Sequence, residues 1–157
     1  VYLIAKAVEI YCFPQTPNKT LNSIITKYIS LTSLNETRQV LDMYLKAHDE
    51  SMLSDDVVFE VMATGQKTAG RDGVRQLLDY FYNKAFTAKY SVKSLVVSEG
   101  KAVLEADFFG KQNLEFAGIQ PSGKEVHVPL CVSYDVSNGR IRYARIYFES
   151  DALRMQR

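Results

Sequence analysis

Tyr44 and His48 stand four residues apart on the apolar stripe Val40, Leu41, Tyr44, Leu45 and His48, so a phenol and an imidazole share one face of a helix. In a cavity poor in water the phenol would donate a hydrogen bond to an oxygen that gathers charge. The imidazole would act as a base or as a bonded partner of the phenol. Structural roles compete with both: Tyr44 as a core tyrosine bonded to a backbone carbonyl, and His48 as a histidine at a helix end. Other chemistry fails on residue type or spacing. Gly70-Arg71-Asp72-Gly73 lacks the lysine and hydroxyl of a phosphate loop, no Gly-x-Ser-x-Gly elbow exists, and the two histidines propose no metal site. Cys131 has no histidine at a suggestive spacing. No metal and no cofactor are expected.

The elements that must position Tyr44 and His48 are read from periodicity. Leu114 to Ser150 holds two long alternating strands around Ser137-Asn138-Gly139, a turn rich in residues that tolerate positive φ. Val126, Val128, Leu130, Val132 and Tyr134, then Ala144, Ile146 and Phe148, form an apolar face. His127, Cys131, Ser133, Asp135, Tyr143, Arg145, Tyr147 and Glu149 form a mixed one. Upstream, the pattern predicts a helix with Asn35 as N-cap, an acidic connection over 49–56, a strand over 57–62 and a brief strand over 66–69. It continues with a helix over about 73–85 capped by Asp72, strands over about 89–98 and 102–109 joined at Glu99-Gly100-Lys101, and a closing helical turn over 151–156. The concave face then collects Phe59 and Val61, followed by Leu104, Ala106 and Phe108, while Glu60, Asp107 and His127 fall outside unless a bulge shifts the parity. The fold class is α+β: a conical barrel of about six strands in a strongly curved mixed sheet, with helices packed on the concave face.

The chain has 157 residues, 46% of them hydrophobic, enough for one domain with a real core. A formal charge of +1 gives no reason to expect nucleic acid or an acidic membrane as partner. Ten tyrosines and eight phenylalanines stand in for the absent tryptophan and bring hydroxyls to apolar surroundings. Cys12 and Cys131 read as free thiols of a reducing, cytoplasmic compartment. Val1 to Phe13 has neither the basic start nor the cleavage site of a signal peptide, and Lys6, Glu9 and Pro14 interrupt it as a membrane helix. Residues 1–34 form an N-terminal extension with a helical stripe at Ile24, Ile25, Tyr28 and Ile29, either appended to the barrel, packed on its outside or loose, or serving as a lid or dimer arm. Residues 35–157 form the domain.

The run Phe116-Ala117-Gly118-Ile119-Gln120-Pro121-Ser122-Gly123-Lys124-Glu125-Val126 resembles the Phe-x-Gly-x-x-Pro-x-Gly-Lys-x-Val passage of SnoaL-like polyketide cyclases. Those belong to the nuclear-transport-factor-two-like superfamily of cyclases, steroid isomerases, epoxide hydrolases and binding proteins. Asn138-Gly139-Arg140-Ile141 and Arg145-x-Tyr147-Phe148-Glu149 resemble that superfamily's final hairpin. The stretch Val40 to Ala47 is similar to the first helix of ketosteroid isomerases, whose tyrosine serves the enolate oxygen; the resemblance implies that role for Tyr44. It also implies departures. Positions where epoxide hydrolases carry polar catalytic groups become Phe59, Val61, Ala106, Phe108 and Ile146. Ile146 also falls where the cyclases carry an acid, and Val61 where the isomerases carry a base.

The expected function is the binding of a small hydrophobic or aromatic molecule in an apolar cavity formed by Tyr44, Phe59, Val61, Phe81, Tyr82, Ala106, Phe108, Leu130, Val132, Tyr134 and Ile146. The alternatives are an enzyme of the cyclase, isomerase or epoxide hydrolase kind that uses Tyr44 and His48, and an interaction module working through the outer sheet face. A homodimer through Cys131, Ser133, Tyr143, Arg145 and Tyr147 is expected, since aromatic and guanidinium side chains are enriched at interfaces.

Overall fold

A computed structural model describes residues 19–156. Helix α1 (Lys19–Ala47) leads through a short 3-10 turn into strand β1 (Leu53–Val61), then β2 (Gln66–Ala69) and helix α2 (Arg71–Asp79). A π-helical turn (Tyr80–Ala85) hands the chain to β3 (Phe86–Ser98) and β4 (Lys101–Gln112). The final hairpin is β5 (Glu125–Ser137) and β6 (Arg140–Phe148), and α3 (Ser150–Met155) follows. The six strands form one sheet in the order β2-β1-β6-β5-β4-β3, antiparallel except for the parallel pair β1 and β6. The sheet is curved but does not close, so the expected barrel is an open half with β2 and β3 as edges.

The final hairpin forms because its sequence satisfies both turn and faces. Asn138 and Gly139 adopt φ of 53° and 66°, the two positive values of a tight turn that matches strand twist, and Ser137 pairs with Arg140 across it. Val126, Val128, Leu130, Val132, Tyr134, Ala144 and Phe148 are buried and Ile146 half-buried, all on the concave side. The pairing shifts between Asp135 and Val136, and beyond that bulge Ile141 is buried in spite of its odd number.

Phe116 explains structurally why the glycine and proline passage lies where it does. Its ring packs edge-on to Phe81, Phe86 and Phe148 with centroids 5.3–5.5 Å apart, and Phe108 completes the cluster. Buried Gln112 holds the same loop by donating from Nε2 to the carbonyls of Leu114 and Ile119, at 2.9 and 2.7 Å. This loop closes the end of the sheet opposite His48.

Several boundaries differ from the sequence expectation. Asn35 is not an N-cap: α1 runs unbroken through it, and its exposed side chain leaves the helical backbone undisturbed. Tyr28, 73% exposed, and buried Thr37 lie nine residues apart, about two and a half turns, so they point in opposite directions. The stripe Leu21, Ile24, Ile25, Tyr28 and Ile29 is exposed accordingly; residues 1–18, and with them Cys12, lie outside the described residues. Thr37 ties the helix to the sheet, accepting from the Gly100 amide at 3.0 Å while donating to the Ser33 carbonyl at 2.9 Å. The first strand starts at Leu53, because a register shift against β6 lets Asp55 and Asp56 both face solvent within it. Gly70, with φ of 77°, starts α2, whereas Asp72 lies in the first turn and accepts from Arg75.

Candidate functional site

The last turns of α1 place Tyr44, Leu45 and His48 over the concave face of the sheet. The helix ends there because His48 adopts φ of 50°, a left-handed conformation that terminates helices. Across from it, α2 and the π-helical turn contribute Leu78, Phe81 and Tyr82; the wider turn delivers Phe81 to the phenylalanine cluster and Tyr82 to His48. The sheet supplies Phe59, Tyr90, Leu104 and Phe108, then Leu130, Val132 and Tyr134, and finally Ile146 and Phe148. These residues line a partly open cavity of about 50 Å³.

Four tyrosines and one histidine give this apolar cavity its polarity. Tyr44 touches His48 edge-on at 5.5 Å between centroids and Tyr134 at 6.1 Å. His48 lies 5.4 Å from both Tyr82 and Tyr90, so its ring is held among three phenols. The Tyr90 hydroxyl donates to the Leu45 carbonyl at 2.7 Å. Among the described residues, the hydroxyls of Tyr44, Tyr82 and Tyr134 have no hydrogen-bond partner. Burial pushes the phenol pKa of all four tyrosines up, with neighbouring phenols adding to the effect at Tyr44, Tyr82 and Tyr134, so at neutral pH each is a donor and not a phenolate. Burial moves His48 the other way, below the usual histidine value, and keeps the imidazole neutral. Tyr44 and His48 meet by ring contact, without a hydrogen bond between them among the described residues.

Among the described residues no carboxylate reaches this space. Glu60 accepts from Tyr143, and Asp107 pairs with Lys93 at 2.7 Å, both on the convex face. His127 is exposed and stacked on Phe109. Cys131 is a half-buried free thiol whose pKa is raised by burial and then by Glu105, the opposite of an activated nucleophile. Among the described residues no group of three or more His, Cys, Asp or Glu side chains could hold a metal ion.

A helix-covered, curved six-stranded sheet with a small interior on its concave side is the architecture that the comparisons recover. The family description SnoaL-like polyketide cyclase matches residues 38–157. This chain belongs to the SnoaL-like polyketide cyclase family. Among solved structures, it resembles TsrD from Streptomyces laurentii at 21% identity and a TM-score of 0.63, covering 78% of this chain and 94% of that one. A protein named a SnoaL-like polyketide cyclase from Jannaschia sp. CCS1 aligns at 17% identity and a TM-score of 0.63, over 91% and 95% of the two chains. One named a ketosteroid isomerase from Kribbella flavida DSM 17836 aligns at 14% identity and a TM-score of 0.57, over 74% and 80%. At such identities the likeness is one of fold. No curated protein matches the sequence.

Within this SnoaL-like fold, two expected lining residues stand elsewhere. Val61 is buried, but at the far end of β1 it borders a separate crevice with Leu77, Tyr80 and Phe81. Ala106 is buried between Leu104 and Phe108 along β4, and its methyl group is too short to reach the lumen that its longer neighbours line. Conversely, Leu45, Leu78 and Tyr90 join the lining unannounced. Leu78 shares the helical spacing of Phe81 and Tyr82, and Tyr90 pairs with Phe108 across β3 and β4, so the pairing placed it inside.

Proposed function

We propose that this SnoaL-like protein binds a small aromatic or hydrophobic molecule in the cavity beneath α1 and α2. The observation that carries the reading is the lining itself: among the described residues it has no acid or cation, and the phenols of buried Tyr44 and Tyr134 make no hydrogen bond. Such groups give a flat apolar ligand its surface and one or two hydrogen bonds that fix its orientation. At about 50 Å³ the interior is smaller than the roughly 300 Å³ of a ligand pocket, so occupation requires side chains of the wall to move. Thermal unfolding against a panel of hydrophobic ligands and steroid-like ketones tests the reading. A ligand at 100 times its dissociation constant adds about 2.7 kcal/mol, and that gain should shrink in Tyr44→Phe and Tyr134→Phe. A panel without any stabilising ligand refutes it.

An enzymatic reading draws on His48, whose neutral imidazole offers a base beside the Tyr44 donor. The apolar side chains of Phe59 and Ile146, at positions where the resemblance to epoxide hydrolases and cyclases implies polar catalytic groups, weigh against it. The expectation is therefore no appreciable turnover of an epoxide or a β,γ-unsaturated ketone; turnover abolished by Tyr44→Phe would reverse the ranking.

The convex face is the proposed homodimer surface. Across the strands it sets Val96, Val103, Ser133 and Arg145 in one row and Glu105, Cys131 and Tyr147 in the next. Tyr143 and Arg145 are engaged within the chain, bonded to Glu60 and Asp135, which leaves Val96, Val103 and Tyr147 as the apolar surface a second copy would cover. The free Cys131 thiol fits a cytoplasmic location, and no helix among the described residues is long and apolar enough to cross a membrane.

A further inference from the structure

His48, Tyr82 and Tyr90 do more than line the interior, because with Leu45 they also border a wide, open outer cleft of about 540 Å³, while His48 and Tyr82 border a second crevice of about 320 Å³ beside Glu50, Arg75 and Asp79. Cavity and cleft are thus two sides of one aromatic partition, held by contacts between rings and by the single hydrogen bond from Tyr90 to Leu45. The two sides differ in charge. Among the described residues the inner cavity has no ionised group, whereas the cleft is flanked by Lys46 from α1 and Lys89 from β3. Both lysines are exposed, and neither lies within ion-pair distance of a carboxylate among the described residues, which is true of Lys27, Lys111 and Lys124 as well; what distinguishes Lys46 and Lys89 is that both stand at the cleft.

Resting on the binding function proposed above, we infer that the ligand is an amphipathic anion: a flat apolar ring system capped by a carboxylate. The ring displaces the partition of His48, Tyr82 and Tyr90 and merges cavity with cleft, while the carboxylate stays at the mouth between Lys46 and Lys89. The interior does not admit the charged end, since burying an ion without a partner costs far more than burying the ring gains. The mouth alone does not hold the ligand, since exposed ion pairs contribute little by themselves. Ring and carboxylate together match the two environments, and a neutral ring matches only one.

Calorimetric titration of the full chain with 2-naphthoate and 2-naphthamide separates the possibilities. The expected result is binding of both, the carboxylate about fivefold or more tighter. That preference should vanish in the Lys46→Gln, Lys89→Gln double variant, with amide affinity unchanged. Equal affinities in the unaltered protein, or a preference that survives the double variant, overturn the inference and leave the binding function standing. Absence of binding by both probes overturns the inference, and the binding function falls with it only if the wider ligand panel also stabilises nothing. Ile146→Phe, confirmed as folded by circular dichroism, fills the interior and should weaken both probes alike. Undiminished binding there places the ring outside the partition and also overturns the inference.

Discussion

His48 is the side chain whose charge state matters most to the site. Its pKa is lowered in the folded protein by burial, so the native state resists a proton that the unfolded chain accepts. Above about pH 6.5 both states carry neutral imidazole and this group adds no pH dependence; as the pH falls below that value, the unfolded chain takes up the proton first and stability declines. Urea unfolding between pH 5 and 7.5 should show that decline, and His48→Gln should flatten it; an identical slope in the variant would mean that other groups cause it. The phenols lead to a second expectation. The Tyr134 hydroxyl makes no hydrogen bond among the described residues, so Tyr134→Phe should leave the free protein as stable as before to within about 1 kcal/mol, even as ligand binding weakens. A loss of more than about 1 kcal/mol in thermal or urea unfolding would show that the hydroxyl is already satisfied.

Two close approaches decide how the elements surround the cavity. Gly110 has φ of 150°, and a β-carbon there would come within 2.2 Å of the Thr87 carbonyl and 2.6 Å of the Ala88 α-carbon. Backbone cannot yield as a flexible side chain does, so Gly110→Ala should destabilise by well over about 1 kcal/mol in urea unfolding and loosen β3, which carries Tyr90. A variant of unchanged stability would show that β3 and β4 can separate without loss. Thr37 has the corresponding role for α1, because its hydroxyl is the buried link between the helix and the turn after β3. Thr37→Val should cost about 1 kcal/mol. Both substitutions lie outside the cavity, so their effect on ligand affinity measures how firmly helix and edge strand hold the aromatic partition.

At the scale of the whole molecule, the open sheet has a concave side closed by helices and a convex side left to solvent. Tyr147, 46% exposed, stands on the convex side near Cys131 and Glu105. Light scattering at micromolar concentration should give the mass of a dimer, and Tyr147→Glu should shift it towards the monomer by placing a charge in the contact. A monomeric mass in the unaltered chain, or a dimer indifferent to the substitution, would transfer attention to another surface. The exposed stripe of α1 is the other large apolar surface in the described residues, and it faces away from the sheet.

The alternation of the last hairpin was legible because a strand's side chains change sides at every residue, a rule that needs no knowledge of the partner strand. That rule carried Leu130, Val132, Tyr134 and Ile146 into the cavity, and a glycine after Asn138 set the turn that pairs them. The helical stripe brought Tyr44 and His48 to the same lining by an equally local rule. Local rules failed where a neighbour decided. Asn35 has the chemistry of a cap yet lies mid-helix, since nothing upstream stops α1, and Val61 has the right parity but lies beyond the reach of the cavity. Tyr90 entered the site through its pairing with Phe108, a contact across 18 residues of chain. The sequence by itself determined which faces are apolar, because polarity alternates with backbone period. Only the tertiary structure decided that the remaining space is about 50 Å³ behind an aromatic partition, because volume depends on how side chains from separate elements meet.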